Sequence, residues 1–211
     1  MGDHTNDLSY TDELEQILSS QGERAFCYRW LHEKAECYYS NANHWISLPV
    51  IIGSTITGAS SIGIGAFFPD ARIGSIVIGG VSLAIGALNT VGEYFGYAKR
   101  TESHRFAAVN YAKLYRFLQI ELALPRHERM VARDLLKTTR EQIQRLEEVS
   151  PQIPKHIIRL FKRKFPKEEN PELSMPESTN GLEPIHVFSG RPAALREVNV
   201  EAAAAAVAAE Q

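Results

Sequence analysis

The chain has 211 residues and a formal net charge of −2 at pH 7, which suits one modest domain with tails and gives no general affinity for nucleic acid. Its two cysteines, Cys27 and Cys37, lie on one predicted helix and point in different directions, so an intrachain disulfide is not expected. The first residues are polar and acidic and contain no apolar run, so no cleavable signal peptide is expected. We predict a disordered N-terminus over residues 1–9.

A polar helix is predicted over residues 10–45. Its apolar and aromatic residues recur at alternating spacings of four and three, which is typical of a helix that packs along a partner. The members of this stripe are Leu14, Leu18, Gln21, Ala25, Tyr28, His32, Ala35, Tyr39, Ala42 and Ile46.

Two uncharged segments follow, Trp45–Pro69 and Ile73–Gly92, separated only by residues 70–72, which include an Asp and an Arg. Both reach the roughly 20 residues, at about 1.5 Å each, that cross the hydrocarbon core of a bilayer. We predict two transmembrane helices, over residues 46–68 and 73–97, that form an antiparallel hairpin. The alternative is a pair of glycine-rich helices in a soluble core, but core helices are rarely this long without a charge.

Basic residues flank the hairpin at the ends away from its tip. They are Arg24, Arg29 and Lys34 before the first span and Lys99, Arg100 and Arg105 after the second. The positive-inside rule therefore predicts a multi-pass integral membrane protein with both termini in the cytosol. The expected fold is an all-α membrane protein in which a transmembrane helical hairpin extends into a cytosolic antiparallel helical bundle.

Three more helices and a tail complete the prediction. Helices are expected over residues 98–124 and 127–149, and a basic amphipathic helix over 154–165. The second stripe is His104, Ala108, Tyr111, Tyr115, Leu118 and Leu122, and the third helix turns Val131, Leu135, Ile143, Leu146 and Val149 inward. Residues 155–167 can lie on an anionic leaflet, or the helix can pack on the bundle with its charges in solvent. Residues 166–211 have the composition of a disordered tail.

No enzyme motif is present. His32 and Glu33 resemble the start of the zinc-hydrolase helix motif, but residue 36 is Glu, so the second histidine ligand is missing. We therefore predict no enzymatic activity, no cofactor and no metal.

Small residues recur four apart in the first predicted span. The helix-packing positions are Gly53, Thr57, Gly58, Ser61 and Gly65. Such rows let helix backbones approach closely. Because several faces of both spans carry them, we expect hairpins to self-associate, in rings of roughly four or more subunits. Packing of the two spans on each other is the alternative.

Polar residues interrupt the second predicted span. The candidate pore-lining residues are Ser82, Gly86, Asn89, Thr90 and Glu93. An Asn and a carboxylate one turn apart are costly against lipid and usually face a bundle interior or a watery cavity. In a ring of subunits they form polar and acidic layers suited to cations. In the alternative, Glu93 reaches the interface and Asn89 hydrogen-bonds the first span.

The histidines His32 and His104 lie on the two facing stripes, at similar expected depth below the membrane. They are candidates for a cytosolic gate, as a proton-sensitive or metal-binding layer. Hydrogen-bonded core histidines are the commoner outcome at such positions.

Short strings distributed along the chain carry a family resemblance. They are Arg29-Trp30-Leu31-His32 with Lys34, Ile46-Ser47-Leu48-Pro49, Thr57-Gly58-Ala59-Ser60, Glu102-Ser103-His104 with Tyr111, and Ser150-Pro151-Gln152-Ile153-Pro154. In this order the chain resembles, over about residues 20–165, the SLATT family of two-transmembrane effector domains associated with nucleotide-signalling and conflict systems. The resemblance implies an oligomeric pore-forming effector whose opening causes ion flux. The competing hypothesis is a non-conducting hairpin anchor that displays a helical bundle for partner binding or membrane remodelling.

Overall fold

The computed structural model describes residues 9–63 and 68–181. Within these residues every regular element is an α-helix and no strand occurs, so the prediction of an all-helical chain is confirmed. In chain order the helices are α1 (Asp12–Ile62), α2 (Ala71–Phe95), α3 (Tyr97–Ala123), α4 (Ala132–Val149), α5 (Lys155–Lys164) and α6 (Glu177–Asn180). The predictions for residues 1–8, for Gly65 and for residues 182–211 lie outside the described residues.

Helix α1 joins the predicted polar helix and most of the first predicted span in one element of 51 residues. It begins after Thr11, whose hydroxyl oxygen accepts a hydrogen bond from the backbone N–H of Leu14 at 3.2 Å. This contact satisfies one of the N–H groups that the first turn leaves free. Acidic residues occupy that turn, where the helix dipole favours negative charge. Pro49 lies inside the helix and does not end it.

Helices α2 and α3 are separated by a single glycine. Helix α2 begins after Asp70, whose carboxylate accepts a hydrogen bond from the backbone N–H of Arg72 at 2.8 Å. It ends at Gly96, which has a φ of 60° and donates its N–H to the carbonyl oxygens of Gly92 and Glu93. Glycine adopts this left-handed conformation readily because it has no Cβ.

Two helical stretches are long and apolar enough to cross a membrane, namely α1 and the α2–α3 run Ala71–Ala123. In each stretch only 6% of the most apolar 18-residue window is buried. A helix in the core of a soluble protein would be mostly covered, because its apolar surface has to leave water. In these apolar windows most side chains instead remain at least partly exposed.

The chain folds as two compact units. Unit one contains the described parts of Met1–Tyr28, Asn110–Glu148 and Ile158–Gln211, and unit two contains those of Arg29–Val109 and Val149–Ile157.

Unit one combines an apolar core with a cluster of ion pairs. The core side chains with 1% exposure or less include Leu18, Leu114, Leu118, Leu135 and Phe161. Beside them Tyr28 stacks on Tyr111 with ring centroids 5.0 Å apart. Glu15 accepts hydrogen bonds from both Arg126 and Arg129, and the bond from Arg126 is the main cause that lowers the pKa of Glu15 to about 2.

Helix α4 is shorter than the predicted helix over residues 127–149, since it begins at Ala132. Leu135 and Leu146 are buried as predicted. The prediction that Val131 and Val149 point inward is wrong, because they are 55% and 50% exposed. Val131 precedes the helix and Val149 is its last residue, so neither belongs to the continuous buried stripe.

The first part of the predicted disordered tail is ordered. In residues 166–181 the side chains of Met175 and Thr179 are both 4% exposed, and the backbone N–H of Ser174 donates to the carboxylate of Glu23 at 2.8 Å. The prediction of disorder from residue 166 is therefore wrong for these sixteen residues. The free energy gained by burying a few apolar groups in unit one orders this segment, although its polar, proline-rich composition is typical of disorder.

Helix α5 buries its apolar side within the fold. Ile157 and Phe161 are 4% and 1% exposed, while the basic side chains of the helix are exposed. Two residues of the apolar face that would have inserted into a leaflet are thus occupied by packing, whereas Leu160 remains 42% exposed beside the charged face.

Candidate functional site

In unit two, α1 packs antiparallel against α2 and α3 along one seam. The α1 residues at this seam recur every seven positions, which is the spacing at which a helix returns to the same face. Counted from the tip of the hairpin, the facing residues are Gly53 with Ile85, Ile46 with Gly92, Tyr39 with Tyr97, and His32 with His104. We call residues 46–95 the apolar hairpin, and residues 29–45 with 96–109 the polar arm.

Three glycines of the apolar hairpin are explained by contacts within the chain. A Cβ atom at Gly53 would lie 2.8 Å from the side chain of Ile85, and one at Gly92 would lie 2.9 Å from Cγ2 of Ile46. At Gly74 it would lie 2.9 Å from the ring of Phe68. These distances leave no room for a side chain, so glycine permits the close approach. We call these three residues the closed glycines.

Other glycines of the hairpin have no such contact. Among the described residues, a Cβ atom at Gly58, Gly79, Gly80 or Gly86 would meet no atom within 4 Å. Glycine inside a helix costs about 1 kcal/mol relative to alanine, and packing within the chain does not account for that cost here. We call these four residues the open glycines, and they leave flat surfaces on α1 and α2.

The predicted helix-packing residues therefore divide into two groups. Gly53 and Thr57 lie in the seam, with Thr57 only 9% exposed and its hydroxyl bonded to the carbonyl of Gly53. Gly58 and Ser61 are exposed, and Gly65 lies outside the described residues. The sequence predicted two offset rows of small residues, one through Gly53 and one through Gly58; in the structure the first lies partly in the seam, whereas Gly58 is exposed.

The predicted pore-lining residues all lie on exposed surface of α2. Ser82, Gly86, Asn89 and Glu93 share one stripe with alternating spacings of four and three residues, and Thr90 lies about 100° around the helix from Asn89. The side-chain amide of Asn89 donates to the carboxylate of Glu93 at 3.0 Å. The hydroxyl of Thr90 donates to the carbonyl of Gly86 at 2.9 Å.

Sequence reasoning missed one member of this stripe. Gly79 continues it by one further turn toward the tip, and it is an open glycine. The 3.5-residue spacing that joins the other four residues contains this signal as well. The exposed stripe then consists only of small or polar residues, namely Gly79, Ser82, Gly86, Asn89 and Glu93. The face of α2 that contacts α1 instead contains Ile85 and the closed Gly92.

Aromatic side chains surround the end of the hairpin opposite its tip. Trp45 is 80% exposed and Tyr94 is 84% exposed, and Phe95 beside it is 47% exposed. The contact of Ile46 with Gly92 brings these two segments to the same level. Exposed aromatic rings at one level are typical of a membrane–water interface. Glu93 precedes Tyr94 in sequence and so lies at the level of these aromatic residues.

His32 on α1 and His104 on α3 face each other within the polar arm. Their Nδ1 atoms lie 2.9 Å apart, and each residue is 1% exposed. At this distance one imidazole donates its Nδ1–H and the other accepts. The ring of Tyr39 stacks on His104 with centroids 5.3 Å apart and an interplanar angle of 14°. The expectation of similar depth is met, and the two rings are in direct contact.

Burial makes both imidazoles weak bases. It lowers the pKa of His32 to about 3, with a smaller contribution from His104. It also lowers the pKa of His104 to about 4, with a smaller contribution from the positive charge of Arg100. Both rings are therefore neutral at pH 7.

The metal-binding alternative for this pair lacks ligands. Among residues 9–63 and 68–181, no group of three or more His, Cys, Asp or Glu side chains is placed to hold a metal ion. Two imidazoles supply fewer ligands than the three or four that a zinc site takes from its protein.

Comparisons of this chain with protein-family models, with curated proteins and with solved structures find no match. Any functional assignment therefore depends on the surfaces of unit two described above.

Proposed function

We propose that the protein is a homo-oligomeric, pore-forming membrane protein of the SLATT type, an ion channel in which α2 lines the pore. In this proposal the apolar hairpin crosses the bilayer and both termini lie in the cytosol. One observation carries the proposal. An apolar, membrane-length helix presents an uncovered stripe of small and polar residues that ends in the hydrogen-bonded pair Asn89 and Glu93.

The free-energy cost of exposing polar side chains to lipid supports the proposal that the stripe with Asn89 and Glu93 faces water. Polar and ionisable side chains within a spanning helix usually face a bundle interior or a cavity, because exposing them to lipid is costly. Asn89 bonds Glu93 on its own helix, and both side chains remain exposed. A ring of α2 helices would remove the stripe from lipid and place it around a lumen.

The open glycines support close contact between subunits. Small residues on an uncovered face let a neighbouring helix approach at van der Waals distance. Gly79 and Gly86 lie on the polar stripe itself, whereas Gly80 lies beside it. Neighbouring copies of α2 can therefore pack closely beside a narrow lumen. A closed ring of roughly four or more subunits leaves an axis for that lumen.

The position of Glu93 supports a preference for cations. About 20 residues, at about 1.5 Å each, separate it from Ile73 near the tip, which matches the roughly 30 Å hydrocarbon core. With Trp45 and Tyr94 at its level, Glu93 would form an acidic ring at the cytosolic mouth of the pore. Rings of carboxylates concentrate cations and repel anions.

The test is ion flux through proteoliposomes that contain the full chain. We expect a conductance whose cation-to-anion permeability ratio falls several-fold in Glu93→Gln, because the acidic ring is lost. Glu102→Gln is the matched control, since Glu102 is an exposed acid of the polar arm and should leave the ratio unchanged. The absence of conductance in every lipid composition and pH would rule out the channel.

A hairpin anchor without conductance is the second candidate. The well-packed core of unit one favours it, because a folded helical unit can bind a partner on its own. Subunit counting in the membrane separates the two candidates. A monomer or dimer, with Asn89→Leu and Glu93→Leu tolerated, supports the anchor, and a larger closed ring supports the pore.

A further inference from the structure

We propose that His32 and His104 form a proton-binding site that holds α1 and α3 together while both imidazoles are neutral and separates the two helices when the site takes up protons. The effect of this site on the pore rests on the proposed function. The site itself does not, since it lies in the polar arm.

The short distance between the two Nδ1 atoms accommodates only one hydrogen between the rings. With Nδ1 atoms 2.9 Å apart, a neutral pair needs one Nδ1–H as donor and one bare Nδ1 as acceptor. When both rings are protonated, both Nδ1 atoms carry hydrogen and positive charge, and they repel each other. Both rings are buried, so water cannot relieve that repulsion until the helices move apart.

The groups around the pair increase this sensitivity. From α1, the ring of Tyr39 stacks on His104. From α3, Arg100 contributes a positive charge and also lies within 3.4 Å of the Tyr39 hydroxyl. From α5, His156 contacts Tyr38, whose ring meets Tyr39 edge-on, so a third imidazole enters the same aromatic cluster. The positive charge of Arg100 thus opposes a further positive charge on His104.

Separation at the histidines can reach the apolar hairpin through the seam. His32, Tyr39, Ile46 and Gly53 recur every seven residues on one face of α1, so they belong to a single packed row. Packed rows of this kind have two arrangements, closed or parted, rather than a continuous range. Opening the row at its histidine end weakens the same contacts that hold α2, which makes the pair a candidate acid-sensitive gate.

The size of the effect follows from proton linkage. In the separated state the two rings meet water and recover an ordinary pKa of about 6.5, whereas in the packed state the pKa of His104 is lowered to about 4. Between pH 7 and pH 5 the ratio of separated to packed molecules should therefore rise about 20-fold for each histidine that is protonated on separation.

The distance between α1 and α3 tests the proposal in the full chain. Cys37 is exposed, whereas Cys27 is buried and burial raises the pKa of its thiol to about 12, so a spin label will react with Cys37 and spare Cys27. A second label is introduced by Glu102→Cys on α3. Double electron–electron resonance on spin-diluted protein in nanodiscs then measures this distance at pH 7 and at pH 5.

We expect one short distance at pH 7 and a growing longer population at pH 5. The double variant His32→Gln and His104→Gln, which keeps hydrogen-bonding groups but does not titrate, should show the same distances at both pH values. His127→Gln, whose side chain is 79% exposed, is the matched control and should behave as the unsubstituted protein does. If the double variant does not fold, the pH series of the unsubstituted protein still decides. An unchanged distance between pH 7 and pH 5 overturns the proposal.

Ion flux measured on the same samples separates this proposal from the proposed function. Helix separation without any conductance means that the proton site exists and the channel does not. Conductance that is equal at pH 7 and pH 5, with an unchanged distance, means that the channel exists and the proton site does not. Conductance that rises on acidification, and does so only with both histidines present, supports both.

Discussion

The polar arm and the apolar hairpin of unit two use the same pair of antiparallel helices but place their polar groups on opposite sides. In the arm, His32 and His104 are 1% exposed. In the hairpin, Asn89 and Glu93 are exposed among exposed isoleucines, valines and leucines. Solvent accounts for an arm with charges outside, whereas a hairpin with apolar side chains outside needs lipid or other copies around it. In the proposed function, the same helix pair therefore extends from the bilayer into the cytosol.

The largest expected effects come from the two kinds of glycine in the hairpin. Gly92→Leu should abolish the packing of α1 on α2, because the added side chain collides with Ile46. Gly80→Leu, beside the polar stripe, should leave the fold of the monomer unchanged and abolish assembly, because the added side chain would occupy the space where a neighbouring subunit approaches.

Thermal unfolding in detergent and subunit counting by native mass spectrometry distinguish these two outcomes. A Gly80→Leu protein that assembles and conducts like the unsubstituted one would mean that Gly80 contacts only lipid.

A smaller effect on stability is expected from a Leu→Ala substitution, made once in the polar arm and once in the apolar hairpin. Leu31 in the arm is 0% exposed, so Leu31→Ala should cost about 2–5 kcal/mol of unfolding free energy. Leu83 in the hairpin is 78% exposed, so Leu83→Ala should cost less than about 1 kcal/mol in the monomer. Reversible unfolding in mixed micelles measures both values. Equal losses would contradict the contrast between the two regions.

The smallest effect is expected at a solvent-exposed charge cluster in unit one. Glu15→Gln should lower stability at pH 7 by less than about 1 kcal/mol, because ion pairs in water are weak. The pKa of Glu15 is lowered from 4.5 to about 2, so its contribution is present above pH 4.5 and is lost as the pH falls to about 2.

A series of unfolding curves from pH 7 to pH 2 checks this prediction. The substituted protein should lack that part of the acid dependence, whereas identical curves would show that the cluster adds nothing. The pair His32 and His104 affects stability in a higher pH range than Glu15 does. Its pKa values are lowered from 6.5, so the stability of the packed arm is complete above pH 6.5 and declines as the pH falls toward 4.

Much of the arm could be predicted because its helices meet in water. Spacings of four and three on α1 and α3 placed His32, Tyr39 and His104 on facing stripes, and all three are buried. Leu31 and Ala107 are buried beside those stripes, since a helix in a bundle covers a face wider than one row. The spacing pattern therefore identifies the central row of buried residues but not the additional buried residues on either side of it.

The hairpin could be predicted less completely. Length and lack of charge identify membrane-length helices, but both Gly53 and Gly58 fit the same small-residue rows, and only the rotation of α1 against α2 separates them. That rotation depends on long-range packing, which periodicity does not encode. The order of residues 166–181 was missed for a related reason, because burial of Met175 depends on a surface provided by distant segments of unit one.

Gly96 differs from the other described glycines of unit two in the reason why an L-residue cannot readily replace it. The nearest atom to a Cβ placed there is 4.0 Å away, so space is available, but its φ of 60° disfavours an L-residue. The requirement at the junction of α2 and α3 is therefore one of handedness rather than of size. In a semisynthetic chain, D-alanine at this position should preserve the junction and L-alanine should strain it, whereas both enantiomers should be rejected at Gly92.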